Sequence, residues 1–65
     1  MITENMKIKT ASDANWLAGE ILEGFEDQGD KQALSYYIWS NFAGKKMQLA
    51  MDSIDTDTLY EIIYT

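Results

Sequence analysis

Apolar and polar residues alternate in blocks along this chain, and the blocks have different periods. In Ala14, Leu17, Ala18, Ile21 and Phe25 the spacing is i, i+3, i+4, i+7, i+11, with Leu22 widening the stripe. That is one face of an α-helix. Ser12 or Asp13 is suited to cap its start, because a short polar side chain can accept a free backbone N–H there. Gly29 is suited to end it in a left-handed turn. The pattern predicts a first helix over Asp13–Gln28, with Gly19 and Gly24 each costing about 1 kcal/mol relative to alanine in its interior.

Asp30 is the next capping residue, and a second helix is predicted over Lys31–Ile54. At about 100° per residue its apolar positions fall into two rows. Leu34, Ile38 and Phe42 form one, with Tyr37 beside them. Tyr36, Trp39, Ala43, Met47, Ala50 and Ile54 form another on nearly the opposite side. A helix apolar on both sides needs burial on both. A kink at Gly44 would rotate the second half and merge the rows; without it, one row is an interface.

The ends of the chain are less regular. Met6, Ile8 and Thr10 alternate with Lys7 and Lys9, a period of two that fits an extended arm over Met1–Thr10. Thr58–Thr65 is rich in β-branched and aromatic residues, which suit a strand. Asp55 and Asp57 ahead of Leu59, Ile62 and Ile63 suit the positive end of a helix instead, predicted over Thr58–Tyr64. The fold expected is all-α, a small three-helix domain with an extended N-terminal arm. The alternative is a β-α-α-β layout in which Met6–Thr10 pairs with the C-terminal segment in a two-stranded sheet. No linker, repeat or low-complexity tract divides the 65 residues, so one domain is expected.

Composition narrows the chemistry. There is no His, Cys, Pro or Arg, and 11 carboxylates against 5 lysines give a net charge of −6. Nucleophile–histidine pairs, arginine clamps, disulfides and zinc sites built on Cys or His are thereby removed. No glycine-rich loop precedes a Lys-Ser or Lys-Thr pair, so a P-loop is removed too. Asp52, Asp55, Asp57 and Glu61 do not match a calcium loop: counted from Asp55, position 6 is Tyr60, and counted from Asp52, position 3 is Ile54. No catalysis, no metal and no cofactor are expected. The longest uncharged stretch, Gln32–Gly44, is too short and polar to span a bilayer, and the N-terminus lacks the pattern of a secretion signal. No membrane partner and a cytoplasmic location are expected.

Two surfaces remain as candidates. The first is the aromatic-apolar row, for protein binding through Tyr36, Trp39, Ala43, Met47 and Ile54. A 65-residue chain has little mass to cover it, and aromatics and Met are enriched at interfaces. The second is an acidic face of Glu20, Glu23, Glu26, Asp27 and Asp30, ordinarily a solubility surface. An acidic field repels nucleic acid, so direct binding to it is not expected. The leading expectation is a non-enzymatic accessory or inhibitory protein that binds a larger protein. Size and charge suggest a small gene product of a phage or mobile element. Homodimerisation is expected around Trp39, Ala43 and Met47. The alternatives are an acidic mimic of nucleic acid that occupies a basic groove, and a structural subunit of a homo-oligomeric assembly.

Overall fold

In the structure, a computed structural model, residues 5–24 and 29–64 are described. Among them 70% are helical, in four helices and with no strand. The helices are α1 (Ala11–Leu22), α2 (Lys31–Phe42), α3 (Met47–Ser53) and α4 (Thr56–Ile63). The all-helical expectation holds, and the β-α-α-β alternative falls because the C-terminal segment is helix α4. The expected count of three helices is corrected to four, since Lys31–Ile54 is divided in two.

α1 starts earlier than its stripe suggests. Thr10, rather than Ser12 or Asp13, is the N-cap, and its Oγ1 accepts from the Asp13 backbone N–H at 3.2 Å. The Asp13 carboxylate accepts in return from the backbone N–H groups of Thr10 and Lys9, at 3.1 and 2.9 Å. This reciprocal box satisfies donors that a helix start leaves open. α1 ends at Leu22, where the Glu23 N–H reaches the Glu20 carbonyl and Gly24 follows with its low helix propensity. The expected helix is therefore too long by at least Glu23 and Gly24, and the rest of its run, from Phe25 to Gln28, lies outside the described residues.

The division of the second helix has a local cause. Ala43 at φ −56°, ψ 128° and Gly44 at φ +79° follow Phe42, and the Lys45 N–H donates back to the Phe42 carbonyl at 2.9 Å. Those angles and that bond fit a type II turn, which calls for glycine at its third position. A second segment holds the turn from outside. Gly44 N–H donates to the Ile8 carbonyl at 2.6 Å, Ile8 N–H to the Lys45 carbonyl at 2.9 Å and Met47 N–H to the Met6 carbonyl at 2.9 Å. Residues 6–8 thus run antiparallel to 44–47, with Lys7 opposite Lys46 in an isolated bridge.

The core that results is aliphatic. Ile8, Ala14, Leu17, Ala18, Leu22, Leu34, Ile38, Met47, Ala50, Leu59 and Ile63 are buried, the least covered at 6% exposure. α1 and α2 share the most extensive packing, and α4 closes against α2. The stripe of α1 is buried as its spacing implies, and Ile21 packs at its edge. A radius of gyration of 10.7 Å matches the roughly 11 Å of a folded chain of this length.

Gly29 anchors the start of α2 to the end of α4. Its φ is +58°, and a Cβ there would lie 2.8 Å from the Ile63 carbonyl oxygen, to which the Asp30 N–H donates at 3.0 Å. Gly44 has a positive φ but open space around it. Gly44→Ala should therefore cost about 1–2 kcal/mol from backbone conformation alone. Gly29→Ala should cost more, because backbone must also move apart. Urea melts of both variants check this ranking, and equal losses would contradict it.

α4 has its own charged cap. The Asp55 carboxylate accepts from the Thr58 backbone N–H at 2.8 Å, and bonds to Thr58 hold its pKa below the usual carboxylate value. A depressed pKa means the folded state favours the charged form. The stabilisation is complete above about pH 4 and is lost as pH falls through the lowered folded value. Asp55→Asn keeps an acceptor but removes the titration, so its acid unfolding curve should lose part of the steepness below about pH 4. Circular dichroism recorded through the acid range measures it.

Candidate functional site

The candidate row does not survive as one surface. Tyr36, on α2, is 73% exposed, Trp39 is half-buried and packs at the edge of the core, and Ala43 is exposed at the turn. These three stay together on the outer side of α2 and its end. Met47 is turned inward to 2% exposure, and Ala50 beside it in α3 is fully buried. Ile54 is half-buried against the same core. The turn at Gly44 merges the rear half of the second row with the first, as a kink there would. Met47 is a core residue here, beyond a partner's reach unless the fold opens.

The acidic face is also rearranged. Glu20 is half-buried and Glu23 exposed near the end of α1, while Glu26 and Asp27 lie outside the described residues. Asp30 is occupied as the N-cap of α2, accepting from the Ala33 N–H at 3.0 Å. Asp52 accepts from the Gln48 side chain at 3.0 Å, and Asp55 caps α4. No three carboxylates among the described residues are grouped to hold a metal ion. No helix among them is long and apolar enough to cross a membrane, and no pocket is present among them.

Sequence reasoning missed which aromatics face outward. None of the seven described aromatic residues belongs to the buried core. Trp16 is 39% exposed, Tyr60 45% and Tyr64 51%, in addition to Tyr36. Tyr60 and Tyr64, one turn apart at the end of α4, have ring centroids 5.7 Å apart. Tyr37 and Phe42 are half-buried with centroids at 6.3 Å. Aromatics usually dominate small cores; here Leu, Ile, Ala and Met fill that space. Tyr60 and Tyr64 share a spacing of four, off the positions of Leu59 and Ile63, which was a readable signal. The outward placement of Trp16 was readable too, since it lies off the α1 stripe.

Comparison with protein-family models, with curated proteins and with solved structures finds no match.

The inward position of Met47 yields a direct check. Met47→Ala should destabilise the protein by about 2–5 kcal/mol, as for a buried side chain leaving a cavity. A domain of this length has only roughly 3–10 kcal/mol in total. If Met47 were a surface residue, the loss would stay within about 0.5 kcal/mol. Chemical denaturation distinguishes the two.

Proposed function

We propose that this chain is a non-enzymatic protein-binding module that acts through exposed aromatic side chains, with Tyr36 and Trp39 on the outer side of α2 at the centre of the contact. One observation carries the reading. Among the described residues the buried core is aliphatic, and Trp16, Tyr36, Tyr60 and Tyr64, of the types most enriched at interface hot spots, are exposed. Single exposed apolar residues are ordinary on any protein. Among the described residues, four of the five exposed large hydrophobic side chains are Trp or Tyr, which is a selective exposure. A surface without a pocket among its described residues suits a protein partner better than a small enclosed ligand.

The partner is a larger protein, and the action fits an accessory or inhibitory role. Homodimerisation through the same side of α2 is the competing use of these aromatics. It calls for a continuous apolar row, and Met47 and Ala50 are withdrawn from that row into the core. The remaining exposed part, Tyr36, Ala43 and the open side of Trp39, is smaller. The acidic-mimic alternative retains Glu20 and Glu23 on α1 and at its end, but Asp30 is committed to capping.

Tyr36→Ala is the discriminating variant. At 73% exposure its removal should leave stability within about 0.5 kcal/mol, while a hot-spot tyrosine costs about 2 kcal/mol or more of binding. Trp39→Ala should lose binding as well, but with about 1–3 kcal/mol of stability, part of the cost of truncating a fully buried Trp. Tagged wild-type protein and both variants are compared by capture from native cells, beside thermal melts and sedimentation. Retention of the same partner by a folded Tyr36→Ala protein contradicts the reading. Loss of partner on substituting Glu20 and Glu23, with steep weakening by salt, favours the mimic.

A further inference from the structure

Four of the five lysines of this acidic chain are brought to one place by the pairing of residues 6–8 with 44–47. Lys7 and Lys9 come from the N-terminal segment, Lys45 and Lys46 from the connection between α2 and α3, and all four are exposed. Lys7 faces Lys46 across the bridge, and the two flanking bonds, Ile8 N–H to Lys45 and Met47 N–H to Met6, make this a non-hydrogen-bonded antiparallel pair. Side chains approach most closely in such pairs, and like charges placed there oppose folding. None of the four forms an ion pair with a carboxylate among the described residues. Asp13 is the nearest counter-charge along the chain on the α1 side, and its carboxylate is turned to the backbone N–H groups of Lys9 and Thr10. Asn5, exposed just before Met6, is uncharged, and Glu4 before it lies outside the described residues.

We propose that Lys7, Lys9, Lys45 and Lys46 form a docking surface for an acidic segment of the partner protein, an inference that rests on the protein-binding reading above. Asp13, whose carboxylate bonds the Lys9 backbone, offsets part of this local field, and the four lysines outnumber it. Glu20 and Glu23 stand near the far end of α1, some ten residues beyond Lys9 and so roughly 15 Å along the helix axis. The screening length at physiological salt is about 8 Å. An acidic peptide fits better than a nucleic acid. There is no arginine to fork onto phosphates, and the residues interleaved with these lysines, Met6, Ile8, Gly44 and Met47, offer no aromatic platform for bases. Leu49, three residues after Lys46 and 48% exposed, adds an apolar contact suited to a peptide side chain. Ala43 is separated from Lys45 by Gly44 alone, so the basic surface begins where the outer side of α2 ends. A partner with an apolar anchor flanked by carboxylates would engage both.

The probe is a fluorescein-labelled octaglutamate peptide, followed by anisotropy at about 20 mM and about 200 mM salt, with a labelled dT octanucleotide as its comparison. The full chain should bind the peptide at the lower salt and weaken at the higher. Lys7→Gln combined with Lys46→Gln should weaken it roughly five- to tenfold, since exposed charge pairs contribute only modestly each. Lys31→Gln, the same kind of charge change away from the bridge, should leave it within about twofold. Lys7→Glu should raise the thermal midpoint by a few degrees through an opposite-charge pair with Lys46, while lowering peptide affinity. This pairing of gain and loss shows a folded variant that has lost its surface. The proposal is overturned if the peptide does not bind at concentrations up to about 1 mM. It is overturned equally if Lys31→Gln weakens binding as much as the double variant, or if the oligonucleotide binds more tightly. Partner capture that fails with Tyr36→Ala but persists with the double lysine variant would sink this inference and leave the aromatic reading standing.

Discussion

Three backbone hydrogen bonds between residues 6–8 and 44–47 determine much of what this molecule presents to its surroundings. They hold Gly44 at the positive φ that ends α2, and they seat Ile8 in the core with no exposed surface. The division they support turns α3 so that Met47 and Ala50 complete a core that α1, α2 and α4 leave open on one side. A straight helix over the same residues would have carried those side chains out on the opposite face. Burial of Met47 alone contributes on the order of 1.5–3 kcal/mol. Glycine inside a straight helix would cost about 1 kcal/mol, which favours the division in the same direction.

The aliphatic core follows from which residues hold the inward positions of the helices. Alanines on α1 and α3 keep the spaces between the helices narrow. Ala14, Ala18 and Ala50 line those spaces, where alanine permits close approach. Trp16, Tyr36, Tyr60 and Tyr64 lie off those inward positions and are exposed. The outer surface therefore combines amphipathic aromatics with many carboxylates, a mixture that repels like surfaces through its charge while offering anchors to a partner. The lysine concentration at the 6–8 and 44–47 pairing gives this surface a second, oppositely charged region.

The expected acidic strip is the feature most changed by local chemistry. Asp13, Asp30 and Asp55 all serve as helix-start acceptors. Each satisfies backbone donors that would otherwise rely on water. Asp30, one of the five carboxylates of the expected face, is thus structural, whereas Asp13 and Asp55 lie outside that face. Of that strip, Glu20 and Glu23 are the described side chains with no capping role.

The helical character of α1 and α2, the stripe of α1, the cap at Asp30 and the shared face of Leu59 and Ile63 were legible in the sequence. They depend on neighbours three and four positions apart and on side chains bonding their own backbone, which spacing alone reveals. The Thr10 box was within the same reach, but Ser12 and Asp13 are chemically as well suited to the cap and lie closer to the apolar stripe. The C-terminal segment was open between strand and helix, and α4 starts at Thr56, two residues before the expected Thr58. The choice between the two rows of the second helix was different in kind. Local pattern allowed either a straight helix with an exposed row or a turn at Gly44 that merged them, and the energies of helical backbone do not separate these strongly. Contact with Met6 and Ile8, distant in sequence, decided it. That same long-range pairing assembled the four lysines, which in sequence are two ordinary pairs. Spacing along a helix can say which residues share a face; only the packing of distant segments says which face is left for a partner.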